Sequence, residues 1–280
     1  MKTVLITGGN SGIGKATVYK LAAMGYQVIF IARNLEKAES VRNEINAILK
    51  NNNTDFIIAD LTSINQVHKL AETFKRRSQK LDVLINNAGV CLPEKRITED
   101  GLEESFQINH LSHFILSILM LDMLKKSDDP RIINVSSAGF SSGKFDPENL
   151  QSEKKFGSFS TYCSTKLLNL LFTFELAERL KGRGITVNAL HPGVVNTNFA
   201  HELKGVFNIL NKLSKPFLLS PEKGAATSVY LASSDEIKNI TGKYFVKCKQ
   251  VDPKNEYITS ENQKTLWNLS LKLSGIDTDL

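Results

Sequence analysis

Thr3-Val4-Leu5-Ile6-Thr7-Gly8-Gly9-Asn10-Ser11-Gly12-Ile13-Gly14 opens the chain with a short β-prone apolar run that breaks into a glycine-rich turn. A helical pattern begins near Lys15, which places the glycines between a strand and a helix. Small residues at such a junction let the backbone come close to a pyrophosphate. The N–H groups at the start of the helix, aided by its dipole, then bind the anion. Gly8, Asn10, Ser11, Gly12, Ile13 and Gly14 are therefore candidate nucleotide-contacting residues. The competing reading is a tight turn that binds nothing, and the position between strand and helix weighs against it.

Working outward, β-prone runs recur at 27–32, 55–59, 83–86, 131–135 and 185–190. The helical patterns between them span about 12 to 25 residues, the alternation expected of parallel βαβ units around a buried sheet. A seventh strand, 244–246, follows a helix whose start is marked by Ser220-Pro221-Glu222, a capping side chain and then proline at the first helical position. A length of 280 residues allows two small domains or one large one. With no linker and no internal repeat, the predicted fold is a single α/β domain over 1–280, a doubly wound Rossmann fold with about seven parallel strands and helices on both faces. Two stretches, 139–158 and 200–219, break the alternation and are candidate substrate loops. In the second, Leu203, Val206, Phe207, Leu210 and Leu213 recur at helical spacing, the pattern of an apolar lid.

Composition agrees: 41% hydrophobic and 23% charged residues, with 17 glycines and 7 prolines, exclude collagen-like, low-complexity and natively disordered chains. The net charge of +6 comes from 35 basic and 29 acidic residues that interleave. Clusters such as Lys75-Arg76-Arg77 read as solvated helix ends, and no nucleic-acid partner is expected. The most apolar run, 114–120, is about seven residues long against the roughly 20 needed to cross a bilayer, so no transmembrane segment is expected. Met1-Lys2-Thr3 runs straight into Val4-Leu5-Ile6, leaving no room for a signal peptide. Cys91, Cys163 and Cys248 are odd in number and far apart, which suggests reduced thiols and a cytoplasmic location. His68, His110, His113, His191 and His201 lack ligand spacing, so no metal is expected and all five read as structural or surface residues.

The second strand ends in Ala32-Arg33-Asn34. An acidic residue there would accept the ribose 2′-hydroxyl proton, whereas Arg33 is suited to clamp a 2′-phosphate and favours NADP(H) over NAD(H). Lys15 stands where it adds positive charge. Further on, Tyr162 and Lys166 are four residues apart and share a helix face. A neighbouring ammonium favours the phenolate and is expected to lower the Tyr162 pKa from its usual value near 10. Such a spacing alone is common on helices.

Together, the 7–14 loop, Asn86-Asn87-Ala88-Gly89, Asn109, Asn134-Val135-Ser136-Ser137, Tyr162 with Lys166, and Pro192-Gly193 resemble the short-chain dehydrogenase/reductase family in order and spacing, over nearly the whole chain. Ile31-Ala32-Arg33-Asn34, the long segment before Tyr162, Pro221-Glu222-Lys223-Gly224-Ala225 and Thr241-Gly242-Lys243-Tyr244-Phe245 resemble its retinol dehydrogenase-like branch. The resemblance implies that Tyr162 exchanges a proton with a carbonyl or alcohol oxygen while hydride passes to or from nicotinamide, that Lys166 lowers its pKa and bonds the nicotinamide ribose, and that Ser137, rather than Ser136, polarises the substrate. It further implies that Asn109 holds a relay water and that Asp60, with Leu61 beside it, contacts adenine. Asn87 would lie near the adenosine ribose or brace the sheet as a turn. Pro192, Gly193, Val195 and Thr197 would hold the nicotinamide carboxamide. The expected partner is a small lipophilic carbonyl or alcohol. Helices near 112–125 and 161–180 resemble those of the family's dimer interface, which raises a homodimer, although their apolar faces equally suit a core.

Two departures qualify the resemblance. Ser137 and Tyr162 are 25 positions apart, about a dozen more than in the simplest members, so the intervening loop must fold away for the hydroxyls to meet. No counterpart of the N-terminal membrane anchor of many vertebrate members of the branch is expected here, so neither a retinoid substrate nor a membrane location is carried over from the resemblance. A cofactor-sensing regulatory protein on the same fold is the alternative function, disfavoured by retention of Ser137, Tyr162 and Lys166. An epimerase or dehydratase is disfavoured by the glycine spacing TGxxxGxG.

Overall fold

The structure of the chain, a computed structural model, describes residues 1–194, 219–278 and 280. Alternating apolar residues build its sheet: in strand β1 (Thr3–Thr7), Val4 and Ile6 face one layer and Leu5 the other. The next strands are β2 (Gln27–Ala32), β3 (Thr54–Ile58), β4 (Val83–Asn86), β5 (Arg131–Val135), β6 (Thr186–His191), β7 (Lys243–Val246) and β8 (Lys249–Val251). They form one sheet in the order β3-β2-β1-β4-β5-β6-β7-β8, parallel throughout except for β8.

Leu5 pairs with Ile29 of β2 on one side and Leu84 of β4 on the other. The chain therefore winds one way from β1 and then crosses to wind the other way. That reversal opens a crevice beyond the C-terminal ends of β1 and β4, where ligands bind in doubly wound sheets. Helices α1 (Gly12–Ala23) and α2 (Leu35–Leu49) cover one face through Val18, Leu21, Val41 and Ile45. Helix α3 (Ile64–Arg77), α4 (Glu104–Phe106), α5 (Ser112–Leu119), α6 (Leu121–Leu124) and α7 (Ser158–Arg179) contribute to the opposite core, with Phe74, Phe106, Phe114 and Leu170 all fully buried. Between α4 and α5 the chain makes a π-helical turn, Gln107–Leu111, which carries Asn109.

Beyond β6 lie α8 (Pro221–Gly224) and α9 (Ala226–Ser233). The Ser220 hydroxyl caps α8 by accepting from Lys223 N, as its sequence signature indicates. Helix α10 (Ser260–Ser274) starts at the Thr259 cap and ends at Gly275 in a left-handed conformation, φ 65°. Its Trp267 ring meets Phe114 edge-on at 5.0 Å, lies 6.4 Å from Phe172 and takes the Arg179 guanidinium 4.3 Å over its face. The apolar surfaces of α5 and α7 are thus core where α10 lies on them.

The sheet has eight strands rather than seven. β8 pairs antiparallel with β7 and is exposed at all three positions, so it carries no apolar alternation to reveal it. β3 begins one residue earlier than expected and β6 ends one residue later. Helix α1 starts at Gly12 rather than near Lys15, because Ser11 is already the extended residue preceding the first turn. Of the two irregular stretches, 139–158 contains short 3-10 turns at Ala138–Ser142 and Pro147–Asn149. In the other, 200–218 lies outside the described residues. Among the described residues, no helix is long and apolar enough to cross a membrane.

The α10 packing generates a prediction: Trp267→Ala should cost about 3–5 kcal/mol, the usual loss for emptying a buried tryptophan site. Urea denaturation monitored by far-UV circular dichroism measures it. A loss below about 1 kcal/mol would show that α10 packs as a dispensable surface helix.

Candidate active site

The glycine loop leaves β1 at Thr7 and is tied at once to the end of β4. Thr7 Oγ1 accepts from the backbone N–H groups of Asn87 and Ala88, both at 2.9 Å. Asn87 Nδ2 returns hydrogen bonds to the carbonyls of Thr7 (2.8 Å) and Gly8 (3.3 Å). Asn87 thus braces the two strand ends, with both amide hydrogens on backbone carbonyls. Gly8 turns the chain at φ 66°, a left-handed conformation that glycine adopts without strain. A Cβ on Gly14 would stand 2.0 Å from the Gly8 carbonyl oxygen, so only glycine lets α1 lie this close to the loop.

Asn10, Ser11 and Ile13 complete the curve. Ser11 makes no side-chain cap, and the first turn of α1 carries no acidic residue. The helix start therefore presents backbone N–H groups, the donor set a pyrophosphate requires. The chemistry and the close backbone approach both fit a dinucleotide.

The two basic residues considered for a 2′-phosphate part company. Lys15 Nζ forms a two-pronged pair with Glu44 at 2.8 and 2.7 Å, so its charge is already engaged. Arg33 is exposed at the end of β2, and no described residue hydrogen-bonds or pairs with its side chain. Asn34 beside it caps α2 by accepting from Lys37 N at 2.9 Å. Asp60 sits beyond β3 in a turn closed by Thr62 N and Thr62 Oγ1 on its Oδ1, with Leu61 buried behind it.

On the other side of the crevice, α7 places Tyr162 and Lys166 one turn apart. Lys166 Nζ lies 5.6 Å from the Tyr162 ring centre and donates to the Val135 carbonyl at 3.1 Å. A Cβ on Gly89 would come within 3.1 Å of that ammonium, so the small residue leaves it room. Ser136 Oγ donates to the Lys166 carbonyl at 2.7 Å and is turned into the helix. Ser137 is the one aimed outward beside the Tyr162 phenol, both lining the space next to Gly139, and its hydroxyl accepts from Gly139 N at 3.1 Å. The two hydroxyls meet because the loop after Ser137 folds flat on α7: a Cβ on Gly143 would stand 2.5 Å from the Cys163 carbonyl oxygen. Asn255 pins the same loop from outside, donating to Phe140 O at 2.9 Å and Gly143 O at 3.0 Å.

Asn109 is fully buried, and its amide is engaged at both ends. Oδ1 accepts from Val90 N at 2.7 Å, while Nδ2 donates to Val90 O and Thr165 Oγ1, each at 2.9 Å. The side chain therefore clamps the chain after Gly89 to α7 through both amide hydrogens and its Oδ1. Burial pushes the Lys166 ammonium down to about 8. Tyr162 departs from expectation: burial raises its pKa, and the Ser137 hydrogen bond offsets this only in part. Desolvation is the largest cause, the nearby Cys91 and Cys163 thiols add to the rise, and Lys166, 5.6 Å from the ring centre, does not reverse it.

Three residues gain significance that spacing did not signal. His191 Nδ1 accepts from Ala138 N at 3.1 Å and steadies the turn beside Ser137. The Phe159 ring centre lies 6.5 Å from that of Tyr162. His113 is buried against Thr7. Gly193, at φ 91°, follows Pro192 at the end of β6, and Leu219 N donates to Val194 O at 2.9 Å. Val195 and Thr197 lie outside the described residues.

The profile of the family described as short chain dehydrogenase matches residues 2–205. Retinol dehydrogenase 12 of Mus musculus is 40% identical over 275 residues, covering 98% of this chain and 87% of that protein. Human retinol dehydrogenase 13 is 39% identical over 282 residues, covering 99% and 85%. Among solved structures, an uncharacterized protein of Mycobacterium paratuberculosis superposes with a TM-score of 0.80 at 29% identity, covering 100% of this chain and 96% of its own. The Pseudomonas aeruginosa RhlG/NADP active-site complex does so at 0.70 and 25%, covering 87% and 93%.

The lowered Lys166 pKa predicts a stability effect with a definite sign. Below about 8 the folded protein holds a buried ammonium that is better solvated in the unfolded chain. Above it the folded state sheds the proton first, and the penalty fades as pH approaches the ordinary lysine value near 10.4. Lys166→Met should therefore raise the melting temperature at pH 7, and the gain should shrink by pH 9.5. Thermal melts of both proteins at the two pH values check it.

Proposed function

Because the chain belongs to the short-chain dehydrogenase family, we propose that it is an NADP(H)-dependent oxidoreductase of the retinol dehydrogenase-like branch that interconverts a carbonyl and an alcohol on a small lipophilic substrate. The observation that carries this reading is the convergence of Ser137, Tyr162, Lys166 and Asn109 beside the glycine loop, where β1, β4 and β5 end. Gly8, Asn10, Ser11, Gly12, Ile13 and Gly14 would hold the dinucleotide at the start of α1, with Asp60, Leu61 and Asn87 toward its adenosine end and Pro192, Gly193, Val195 and Thr197 toward its nicotinamide end. Bound there, the nicotinamide supplies or accepts hydride.

The chain's own residues manage the substrate oxygen and its proton. Ser137, beside the phenol, donates to the substrate carbonyl and holds it where negative charge develops. Tyr162 keeps its proton in the buried site and delivers it to that oxygen during reduction, and it takes the proton back during oxidation. Lys166 is charged below about 8 and stabilises the phenolate left behind. Asn109 clamps the backbone after Gly89 against α7, which keeps the Lys166 ammonium in its berth.

Arg33 supports the choice of NADP(H), being exposed and unengaged among the described residues at the position where an acid would select NAD(H). The Phe159 ring beside Tyr162 supports a lipophilic substrate, as do relatives named retinol dehydrogenases.

Two measurements test the proposal. Fluorescence titration should show NADPH binding more tightly than NADH, and Arg33→Ala should weaken NADPH by roughly 30-fold, the loss of one charge-assisted contact, while leaving NADH nearly unchanged. Tyr162→Phe should retain NADPH affinity and lose about 100-fold or more in kcat on an aldehyde or ketone found by screening. Retention of more than about a tenth of kcat with chemistry rate-limiting would remove Tyr162 from the mechanism.

A further inference from the structure

His113 lies on α5 one turn beyond Asn109 and is 1% exposed. Its Nε2 is 3.2 Å from Thr7 Oγ1. The protonation of the ring follows from Thr7, since a hydroxyl has one hydrogen and two lone pairs. Both lone pairs are taken by Asn87 N and Ala88 N at 2.9 Å. The remaining hydrogen points to the imidazole, so Nε2 is the bare acceptor and the neutral ring carries its proton on Nδ1. That nitrogen lies beside the Asn109 carbonyl, one turn earlier, in a geometry short of a full hydrogen bond. Lys166 from α7 and His110 from the π-helical turn are the charged or titratable neighbours, and together with burial they disfavour a second proton.

We propose that His113 is a positioning residue: through an Nδ1-protonated imidazole its Nε2 accepts from the Thr7 hydroxyl, joining the glycine loop to the helix that follows the Asn109 turn. Its effect on cofactor binding rests on the reading of that loop given above. Without an acceptor at Nε2, the Thr7 hydrogen is left buried and unpaired, or rotates at the expense of one of the two backbone bonds that hold Asn87 and Ala88. A glutamine at this position keeps an acceptor near Nε2 and loses the donor near Nδ1. Asparagine does the reverse, and leucine removes both.

The experiment has two arms. In the first, long-range ¹H–¹⁵N spectra of the full chain, with His113→Gln identifying the signal among five histidines, should show His113 protonated on Nδ1 and bare at Nε2. A proton on Nε2, or a doubly protonated ring at pH 7, would overturn the proposal. In the second, NADPH titration and thermal melts compare His113→Leu, His113→Gln and His113→Asn. Leucine and asparagine should weaken NADPH binding about tenfold, and glutamine should return it to within about threefold of the native chain, the scale of one buried hydrogen bond. A folded leucine variant that binds NADPH within twofold, or glutamine and asparagine variants that behave alike, would reduce His113 to core packing. If the native chain binds neither NADPH nor NADH, it is the reading of the loop that fails. His113 is then judged by its tautomer and by whether glutamine restores the melting temperature that asparagine does not.

Discussion

The Thr7 hydroxyl fastens two strand ends that are adjacent in space and 80 residues apart in sequence. Around it the sheet reverses its winding direction, and the reversal creates the crevice. Had β4 not docked beside β1, the glycine loop would be an exposed turn with nothing across from it. Because β4 is there, Asn87 and Ala88 pack under Gly8, and the small residues of the loop become a steric requirement as well as a conformational one.

From this junction the polar apparatus extends inward. Ser136, Asn109, Thr165 and Lys166 are all buried, in a region where an unpaired polar atom costs about 1–3 kcal/mol. Most are satisfied by specific backbone partners, and each such bond fixes a direction. Ser136 spends its hydroxyl on the Lys166 carbonyl, which leaves Ser137 as the serine that faces the phenol. Lys166 is the exception in energetic terms. A buried ammonium with a single carbonyl acceptor is a stability cost at neutral pH, the kind of cost found where a charge serves chemistry rather than folding.

The outer parts of the structure serve the same centre. Helix α10 closes the core over α5 and α7 through Trp267, and its Ser270 hydroxyl reaches His110 in the π-helical turn at 2.9 Å. Asn255, just ahead of that helix, holds the loop that follows Ser137. The C-terminal segment thus holds both the π-helical turn and the loop after Ser137. The long stretch between Ser137 and Tyr162 is compatible with a compact site because it lies along α7 instead of crossing the crevice.

Much of this was legible in the chain itself. Apolar runs located seven strands to within a residue, most plainly β2, β4 and β5, which are buried almost throughout and read as continuous apolar stretches. The glycine loop, Arg33 and the Tyr162–Lys166 spacing are local patterns, set by residues near one another in sequence. Tertiary structure decided whatever depends on distant groups meeting. β8 has no core face and left no pattern. The engagement of Lys15 by Glu44, 29 residues away, separated it from Arg33, and no spacing rule shows that. The brace made by Asn87 and the clamp made by Asn109 follow from counting lone pairs and hydrogens around buried atoms brought together from separate strands and helices, and the tautomer proposed for His113 rests on the same count; the resemblance had already pointed to Ser137 over Ser136, and the fold adds that the Ser136 hydroxyl is spent on the Lys166 carbonyl. The rise in the Tyr162 pKa belongs to the same class: sequence places an ammonium one turn away, but only the fold determines how much water both groups lose, and here desolvation is the larger effect.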